Sequence, residues 1–408
     1  MANKYDTMIN EKWQKLINSS KPFPNIMLLG VTSCGKSSLI NRVFGKEVAY
    51  VNDTDRGTTD FKTYEGKKYN LSVNLIDSKG YELSDGKKES FEEYRKLIKK
   101  KMDDDIKADP FKKIHIIWYC ISVAGAVIQD YDIEIIKMLL DDPELKQRVC
   151  VVLTKCDQDD ENGSDAKAIK TALKQKTKSV IPVFEVSVYP TLPLELENLM
   201  SWSAKQLDDD DLREAFIQSQ VIDLKSKRNQ AGIKIAFYSA AAAAIGANPI
   251  SVGVADAVLL TPLQVIMATH IIKSYGMDSL VNVTKGIVGT VLVPTLGKTL
   301  AGGLVKLIPA IGPFIGSAIN GTVAASVTAA LGCAISQICY TSCEKIAKGE
   351  EVDFEKAFSA ENIKTAVGVF EALDKNNKPN DYISDKKFDK SEIKKFTTEY
   401  VKEHGNES

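Results

Sequence analysis

Residues Gly30–Ser37 read GVTSCGKS and match the pattern G-x-x-x-x-G-K-[ST], a loop that cradles nucleotide phosphates. The apolar run Ile26–Leu29 precedes the loop, and Ser38–Asn41 follows it with helical character. In a strand, loop and helix of this order, backbone N–H groups and a helix N-terminus face the phosphates. A chance glycine-rich turn would not need both flanks, so the sequence predicts a phosphate-binding loop here.

The residue types within this loop suit that chemistry. Lys36 brings a positive charge to the β- and γ-phosphates, and the Ser37 hydroxyl can ligate Mg²⁺. Gly30 and Gly35 allow backbone conformations that a side chain would resist. We therefore predict that nucleotide-binding residues run through the whole loop: Gly30, Thr32, Ser33, Cys34, Gly35, Lys36, Ser37 and Ser38.

The composition describes a globular chain that is long enough for two domains. It has 408 residues, is 44% hydrophobic and carries a net charge of -1, which argues against a disordered chain and against a polycation that binds nucleic acid. Seven cysteines occur without a C-x-x-C pair, so neither a zinc site nor a disulfide framework is predicted. Free thiols fit a reducing compartment, and Met1–Ile17 is too polar for a secretory signal. We expect a cytoplasmic protein without a nucleic-acid partner.

Residues 25–205 alternate apolar runs with helical segments, which is typical of a doubly wound α/β fold with a mostly parallel sheet. The predicted strands are Ile26–Leu29, Leu71–Ile76, Ile114–Ile121, Val149–Leu153 and Val183–Val186. Polar clusters stand next to the ends of four of them. Because ligands bind beyond the carboxyl ends of such strands, we expect those clusters to converge on one site.

A second polar cluster, Arg56–Asp60, reads RGTTD and lies in a polar connection after the first helix. A hydroxyl from such a loop can complete the Mg²⁺ shell and contact the γ-phosphate. Thr59 is the predicted ligand, with Thr58 as the alternative. Threonine is common in loops, so this cluster is weak evidence by itself.

A third cluster, Asp77–Gly80, reads DSKG and directly follows the predicted strand Leu71–Ile76. Asp77 can hold Mg²⁺ through water, and the Gly80 N–H can contact the γ-phosphate. Loss of that contact on hydrolysis would release the loop, as in other nucleotide-dependent switches. The alternative is an ordinary turn, which the position after a strand disfavours.

Two further clusters suit recognition of a base. Thr154–Asp157 reads TKCD, and the Asp157 carboxylate can accept hydrogen bonds from guanine N1–H and the 2-amino group, whereas adenine has neither donor. The Lys155 stem can lie over the base; the alternative is a surface charge pair. Glu185–Val188 reads EVSV, where a backbone N–H could meet the guanine carbonyl. The predicted base-side residues are Thr154, Lys155, Asp157, Ser187 and Val188.

In this order, GVTSCGKS, RGTTD, DSKG, TKCD and EVSV resemble the motif series of the translation-factor-related GTPases. The continuation GKSSLIN and the short spacing from Lys36 to Thr59 are similar to the Era-like branch and to immunity-related and septin-like GTPases. Over residues 25–205 the resemblance implies Mg²⁺-dependent binding of guanine nucleotide and hydrolysis of GTP to GDP. The predicted catalytic set is Lys36, Thr59 and Gly80, and the predicted metal ligands are Ser37, Thr59 and Asp77.

Three positions depart from these families. Ser33 stands where potassium-dependent Era-like members carry Asn, which puts activation by potassium in doubt. Thr32 stands where many GTPases have Gly. Tyr81 follows Gly80, where small signalling GTPases place the glutamine that orients water. We therefore expect slow intrinsic turnover, with the water positioned by a partner or by a second G domain in a homodimer.

Residues 231–348 change composition sharply toward Ala, Gly, Val and Ile, and no charged residue occurs in residues 307–343. Prolines and many small or polar residues dilute this run, so it is a weaker membrane signal than a leucine-rich span. Small residues four apart permit close helix contact in lipid or in a protein core. They are Ser317, Gly321, Ala325 and Ala329. A soluble helical bundle and attachment to a membrane surface both stay open.

The segment Ala244–Tyr275 resembles an uncharacterised helical domain, the YcjF-type, that often follows bacterial GTPase domains. The resemblance spans about residues 231–345 and implies membrane association for some members. We expect Asp256 and Gln264 to cap or cross-link helices. His270 has no second His or Cys nearby, so a metal site there is not predicted.

The remaining predicted segments are an N-terminal helix over residues 1–24, a linker helix over 206–230 and a helical C-terminal segment over 349–408. Three functions fit this organisation. The first is a GTPase whose nucleotide state controls a helical domain that engages a membrane or a protein partner. The alternatives are a membrane-active or pore-like helical effector with the G domain as its lock, and a ribosome-associated Era-like GTPase.

Overall fold

The computed structural model describes residues 22–45, 47–49, 61–78, 88–124, 128–246, 254–277, 280, 319–363, 365–367 and 389–404. These residues fall into two compact units, one within Lys21–Asp223 and the other containing most residues from Leu224 onward. The N-terminal helix predicted over residues 1–24 lies outside the described residues except for 22–24, which have no regular structure. The domain boundaries predicted from the sequence, at residues 24, 205, 230 and 348, stay predictions.

The first unit contains a sheet whose strands lie in the order β2-β3-β1-β4-β5-β6. The bounds are β1 (Asn25–Leu29), β2 (Lys62–Tyr64), β3 (Asn74–Asp77), β4 (Ile114–Ser122), β5 (Val149–Thr154) and β6 (Val183–Glu185). Every neighbouring pair is parallel except β2 and β3, which are antiparallel. The prediction of a mostly parallel α/β sheet is confirmed.

Two of the inner strands, β1 and β5, are buried along their whole length, as expected of a parallel sheet covered by helices on both faces. Every residue of β1 and of β5 is buried. Their side chains alternate between two apolar cores, so that Ile26 and Leu28 pack into one core and Met27 and Leu29 into the other.

Helices cover both faces of this sheet. Their bounds are α1 (Lys36–Phe44), α2 (Lys88–Ile106), α3 (Asp130–Asp141), α4 (Pro143–Lys146), α5 (Ser164–Thr177), α6 (Leu196–Lys205) and α7 (Asp210–Ser219). Side chains of α1, α6 and α7 lie in the core that contains Ile26, and side chains of α2, α3 and α5 lie in the core that contains Met27. This two-sided packing is the doubly wound arrangement, which places the phosphate loop at the carboxyl end of β1.

Two strands differ from the sequence prediction. Strand β2 is not predicted, because its three residues are too few for an alternating pattern to be recognised. Of the predicted strand Leu71–Ile76, only the residues from Asn74 onward join the sheet. The Leu71 N–H instead donates to the Gly66 carbonyl at 2.9 Å, just after a 3-10 turn that spans Gly66–Tyr69.

The single linker helix expected over residues 206–230 is instead two helices. Helix α7 ends at Ser219, and α8 (Leu224–Gly246) begins after a short turn. The buried Gln220 side chain organises this turn, because its Oε1 accepts from the N–H groups of Ile222 and Asp223 at 2.6 and 2.7 Å. A glutamine that bonds to its own backbone neighbours leaves no periodicity in the sequence, so the break is not predictable from the pattern.

The second unit is helical, as predicted. Its described helices include α8 (Leu224–Gly246), α9 (Val254–Ser274), α10 (Ile319–Ala347), α11 (Phe354–Ala357) and α12 (Lys390–His404). Side chains of α8, α9, α10 and α12 share one apolar core. The helical character expected after residue 349 is found in α11 and α12.

Small residues allow close helix contact in this unit. A Cβ atom added at Gly332 of α10 would lie 2.8 Å from Ile235 Cγ1 of α8. The Gln264 side chain donates to Thr328 Oγ1 at 3.0 Å and so cross-links α9 to α10, as expected of a polar side chain in an apolar core. The side chain of Asp256 lies outside the described residues.

One described helix segment, Ala324–Ala347, is long and apolar enough to cross a membrane, with a mean hydropathy of 1.3. Most of its best window is buried within the structure. The core helix of a soluble protein meets the same criteria, so this segment is weak evidence for a membrane span.

Candidate nucleotide-binding site

The phosphate loop joins β1 to α1 with three residues in the left-handed half of backbone space. Gly30 has φ 135°, Ser33 has φ 63° and Gly35 has φ 97°. A Cβ atom at Gly30 would collide with the Cys120 carbonyl oxygen of β4, so this position requires glycine. Among the described residues, no side chain caps the start of α1, and its first N–H groups therefore suit an anion.

Lys36 lies under the loop rather than in solvent, with 7% of its surface exposed. Its Nζ donates to the carbonyl oxygens of Gly30 and Val31 at 3.0 and 3.1 Å and lies 4.0 Å from Cys34 Sγ, a weak acceptor. An ammonium group has three donors. Lys36 can thus hold the loop with two of them and offer the third to a phosphate oxygen.

Asp77 ends β3 and lies in register with Leu28 of β1. Its Oδ1 atom is buried without a hydrogen-bond partner among the described residues. Burial raises the pKa of Asp77 to about 6, although the positive charges of Lys36 and Lys62 oppose the rise. A buried carboxylate oxygen without a partner is unfavourable, and a hard cation such as Mg²⁺ would satisfy it directly or through water.

The TKCD turn is tied to the phosphate loop by two side chains. Thr154 Oγ1 donates to the Cys34 carbonyl oxygen, and Lys155 Nζ donates to the Ser33 carbonyl oxygen at 2.9 Å. Lys155 has φ 57° and precedes the 3-10 turn Cys156–Gln158. The sequence motifs do not predict these bonds, which make the loop's shape depend on the end of β5.

Asp157 lies in that 3-10 turn, and its Oδ1 atom is buried without a hydrogen-bond partner among the described residues. The neighbouring Cys156 N–H donates to the Val186 carbonyl at 3.3 Å, which brings the end of β6 beside the turn. A buried acceptor in this position suits two N–H donors on one edge of a base. The arrangement fits the predicted role of Asp157 in guanine recognition.

The structure places the other predicted residues as follows. Ser37 and Ser38 are half-buried in the first turn of α1, and Thr32 is exposed. Ser187 is 1% exposed, and its hydroxyl accepts from the Tyr189 N–H at 3.1 Å, whereas Val188 is exposed. The candidates Thr58, Thr59, Gly80 and Tyr81 lie outside the described residues.

Two tyrosines near the loop, the half-buried Tyr94 and the buried Tyr119, were not predicted from the sequence. Tyr94 of α2 donates to Ser78 Oγ at 3.2 Å, and Tyr119 of β4 donates to Asp132 Oδ1 at 2.8 Å. Asp132 lies in the first turn of α3, where burial raises its pKa to about 6. Neither tyrosine belongs to a motif, because each reaches its hydrogen-bond partner through packing of its helix or strand.

A comparison with family models identifies the first part of this unit. Residues 25–155 match the model of a family described as 50S ribosome-binding GTPase, which covers less than half of the chain. The match begins with β1, contains the phosphate loop and Asp77, and ends at Lys155. By this match, the segment is a P-loop GTPase domain. The helical unit lies outside the match, and its resemblance to a YcjF-type domain stays a prediction.

Among curated proteins, a stretch of 57 residues is 37% identical to the GTPase Der of Mesorhizobium japonicum. It represents 14% of this chain and 12% of that protein. The chain therefore matches only a small part of that relative's length.

Among solved structures, the chain is similar to a probable GTP-binding protein engB, with 21% identity over 45% of this chain and 97% of that chain and a TM-score of 0.34. Toc33 from Arabidopsis thaliana in complex with Mg²⁺ and GMPPNP has 16% identity over 51% and 90%, with a TM-score of 0.32. Era in complex with MgGDPNP and a segment of 16S ribosomal RNA has 16% identity over 51% and 67%, with a TM-score of 0.31. These similarities are too low to support an argument about function.

Proposed function

We propose, because residues 25–155 are a P-loop GTPase domain, that this chain binds guanine nucleotides together with Mg²⁺ and hydrolyses GTP to GDP. One observation carries the proposal. The carboxylates of Asp77 and Asp157, at or just beyond the ends of β3 and β5, each bury an oxygen atom without a hydrogen-bond partner among the described residues. A metal ion at one and a guanine base at the other would satisfy both.

The phosphates would be held by the loop that follows β1. Its N–H groups and the start of α1 would face the phosphates, and Lys36 would add a positive charge. Ser37 and Thr59 would ligate Mg²⁺, with Asp77 acting through water. The ion would neutralise charge on the β- and γ-phosphates. Catalysis would consist of positioning and charge stabilisation, to which Lys36, Thr59 and Gly80 contribute.

The base would be selected by Asp157. Guanine presents the N1–H and 2-amino donors to its carboxylate, whereas adenine presents neither and would leave a buried carboxylate oxygen unpaired. Thr154 supports this turn through its bond to the loop. Backbone groups near Ser187 and Val188 would contact the guanine carbonyl.

Titration of the purified chain with GDP, a non-hydrolysable GTP analogue and ATP tests the nucleotide claim. We expect tight binding of both guanine nucleotides and weak binding of ATP. Lys36→Ala should abolish binding of all three, whereas Asp157→Asn should shift preference toward xanthine nucleotides, whose 2-oxo group accepts where guanine donates. Equal affinity of the wild type for ATP and GTP would contradict guanine selectivity.

We further propose that hydrolysis is slow in the isolated chain, because Tyr81 stands where small signalling GTPases place the glutamine that orients water. A second G domain or another partner would complete the site. Turnover measured across a wide range of protein concentration tests this. A specific activity that rises with concentration would support a homodimer, and fast turnover independent of concentration would contradict the proposal.

The chain would be cytoplasmic. Its helical unit would respond to the nucleotide state and engage a membrane surface or a protein partner. The apolar helix segment Ala324–Ala347 supports the membrane version. Flotation with liposomes, in the presence of GDP and of a GTP analogue, tests it. Flotation in one state alone would support control by nucleotide, whereas flotation in both states would favour a membrane-active effector. If the chain floats in neither state, both nucleotide-controlled membrane binding and the membrane-active effector are contradicted.

Association with ribosomes is the alternative that the description of the matching family favours. Co-sedimentation of the chain with ribosomal subunits in the GDP and GTP-analogue states tests it. The net charge of -1 argues against a strongly basic RNA-binding surface, so we expect no co-sedimentation in either state.

A further inference from the structure

The Tyr94 hydroxyl lies at the same edge of the sheet as the phosphate loop. Tyr94 Oη donates to Ser78 Oγ at 3.2 Å. Ser78 is 2% exposed, and its N–H donates to the Leu28 carbonyl at 3.0 Å, two residues before Gly30. These bonds hold the Tyr94 hydroxyl beside the carboxyl ends of β1 and β3.

Two groups of the phosphate loop affect the ionisation of the same hydroxyl. Burial raises the pKa of Tyr94, while the bond to Ser78, the charge of Lys36 and a hydrogen bond with the Gly30 backbone oppose the rise. Lys36 Nζ donates to the Gly30 carbonyl at 3.0 Å, so both groups belong to the part of the loop that directly follows β1. The phenol keeps its proton at neutral pH and acts as a hydrogen-bond donor.

The neighbourhood of this hydroxyl suits a phosphate group more than a cation or an apolar ligand. Lys36 carries a positive charge, and the phenol adds a donor without adding negative charge. Asp77, the residue before Ser78, is the nearby candidate to hold a metal ion. A donor next to the lysine and close to the metal candidate lies where the terminal phosphate of a nucleoside triphosphate would be bound.

We propose that the Tyr94 hydroxyl donates a hydrogen bond to the terminal phosphate of bound GTP and thereby favours GTP over GDP. The proposal rests on the guanine-nucleotide function proposed above. GDP lacks the terminal phosphate, so in the GDP state the hydroxyl keeps its bond to Ser78. Because Tyr94 belongs to α2, the exchange of partners makes that helix sensitive to the nucleotide.

The Tyr94→Phe variant tests the proposal, since it removes the hydroxyl and keeps the ring. Affinities for a non-hydrolysable GTP analogue and for GDP are measured by titration with Mg²⁺. We expect the affinity for the analogue to fall about tenfold, as for loss of a hydrogen bond to a charged group, while the affinity for GDP stays unchanged. In steady-state turnover, KM for GTP should rise by a similar factor.

Tyr119→Phe is the matched control, because the Tyr119 hydroxyl also donates a hydrogen bond within this unit, but to a neighbouring carboxylate, Asp132, rather than to Ser78. The Tyr119→Phe substitution should lower the stability of the unit without changing the ratio of the affinities for the GTP analogue and for GDP. Binding of GDP by each variant reports that the domain is folded. Ser78→Ala removes the resting partner of Tyr94 and should keep or increase the preference for the GTP analogue.

Two results would overturn the assignment to Tyr94. One is an unchanged ratio of the affinities for the GTP analogue and GDP in Tyr94→Phe, whether or not both affinities fall. The other is loss of the preference in Ser78→Ala to the same extent as in Tyr94→Phe. Failure of the wild type to bind GDP and the GTP analogue would instead refute the proposed function itself.

Discussion

The Thr154 hydroxyl donates a hydrogen bond to the Cys34 carbonyl oxygen, joining the end of β5 to the middle of the phosphate loop. The next residue, Lys155, donates to the carbonyl oxygen of Ser33 at 2.9 Å. Two consecutive side chains from the base side thus bind two consecutive carbonyls of the phosphate side. The two halves of the candidate site are therefore coupled through the loop backbone.

Replacement of Thr154 by valine should weaken nucleotide binding without changing base selectivity. The substitution keeps the side-chain shape but leaves the buried Cys34 carbonyl without this donor, which costs about 1–3 kcal/mol. We expect the affinities for GDP and for a GTP analogue to fall by a similar factor, measured by titration. Thr177→Val is the control, because the Thr177 hydroxyl is also buried but bonds to Leu173 within α5. A changed ratio of guanine to adenine affinity in Thr154→Val would contradict the coupling described here.

Replacement of Asp77 by asparagine should stabilise the chain without ligand and weaken its response to Mg²⁺. The pKa of Asp77 in the fold, about 6, lies above its ordinary value of 3.8, so the folded state binds the proton more tightly than the unfolded state. Stability is therefore lost as pH rises from about 4 to about 6. Without nucleotide, the Asp77→Asn variant should unfold at a higher temperature than the wild type at pH 8. At pH 5 the two unfolding temperatures should be similar.

Addition of Mg²⁺ with GDP should reverse this order, because the carboxylate then has a cation to bind. Thermal unfolding with and without the ligands measures both effects. The exposed Asp141 is the control, and Asp141→Asn should change neither result. Equal stabilisation of the wild type and Asp77→Asn by Mg²⁺ and GDP would remove Asp77 from the metal site.

Replacement of Tyr119 by phenylalanine should destabilise the sheet unit more at pH 8 than at pH 5. Tyr119 donates to Asp132 Oδ1, and Asp132 has a pKa of about 6 in the fold against an ordinary 3.8. At pH 8 the lost bond is to a carboxylate and costs about 1.5–3 kcal/mol. At pH 5 the folded-state carboxyl is mostly protonated, so the lost bond is neutral and weaker.

Urea unfolding at the two pH values measures this difference. Tyr189→Phe is the control, because Tyr189 is 57% exposed and should change stability at neither pH. An equal loss at pH 5 and pH 8 in Tyr119→Phe would mean that Asp132 titrates outside this range.

Replacement of Gly332 by alanine should destabilise the helical unit, although alanine is normally the better helix former by about 1 kcal/mol. The added Cβ atom would lie 2.8 Å from Ile235 Cγ1 and 3.2 Å from Met267 Sδ. Overpacking of this kind costs about 1–3 kcal/mol. In the Ile235→Ala background the same substitution should cost less, and a double-mutant cycle by urea unfolding measures the coupling. A Gly332→Ala variant more stable than the wild type would contradict the close contact of α8 and α10.

The sequence predicted the fold of the first unit well because its main signals are local. Five apolar runs mark five of its strands to within a few residues, and continuous burial of β1 and β5 explains why those runs are unbroken. The short edge strand β2 and the turn at Gln220 were missed, since neither leaves a periodic pattern. Asp77 and Asp157 could be predicted as candidates because each follows a predicted strand within a short motif.

The sequence by itself determined where the phosphate loop lies, which strands precede the polar clusters and where the composition turns to small apolar residues. Each of these follows from residues that are neighbours along the chain. The tertiary structure alone decided that Thr154 and Lys155 hold the phosphate loop and that Tyr94 reaches Ser78. These contacts join residues that are distant along the chain, and they form because the parallel strands bring their carboxyl ends to one edge of the sheet while the helices pack on its faces.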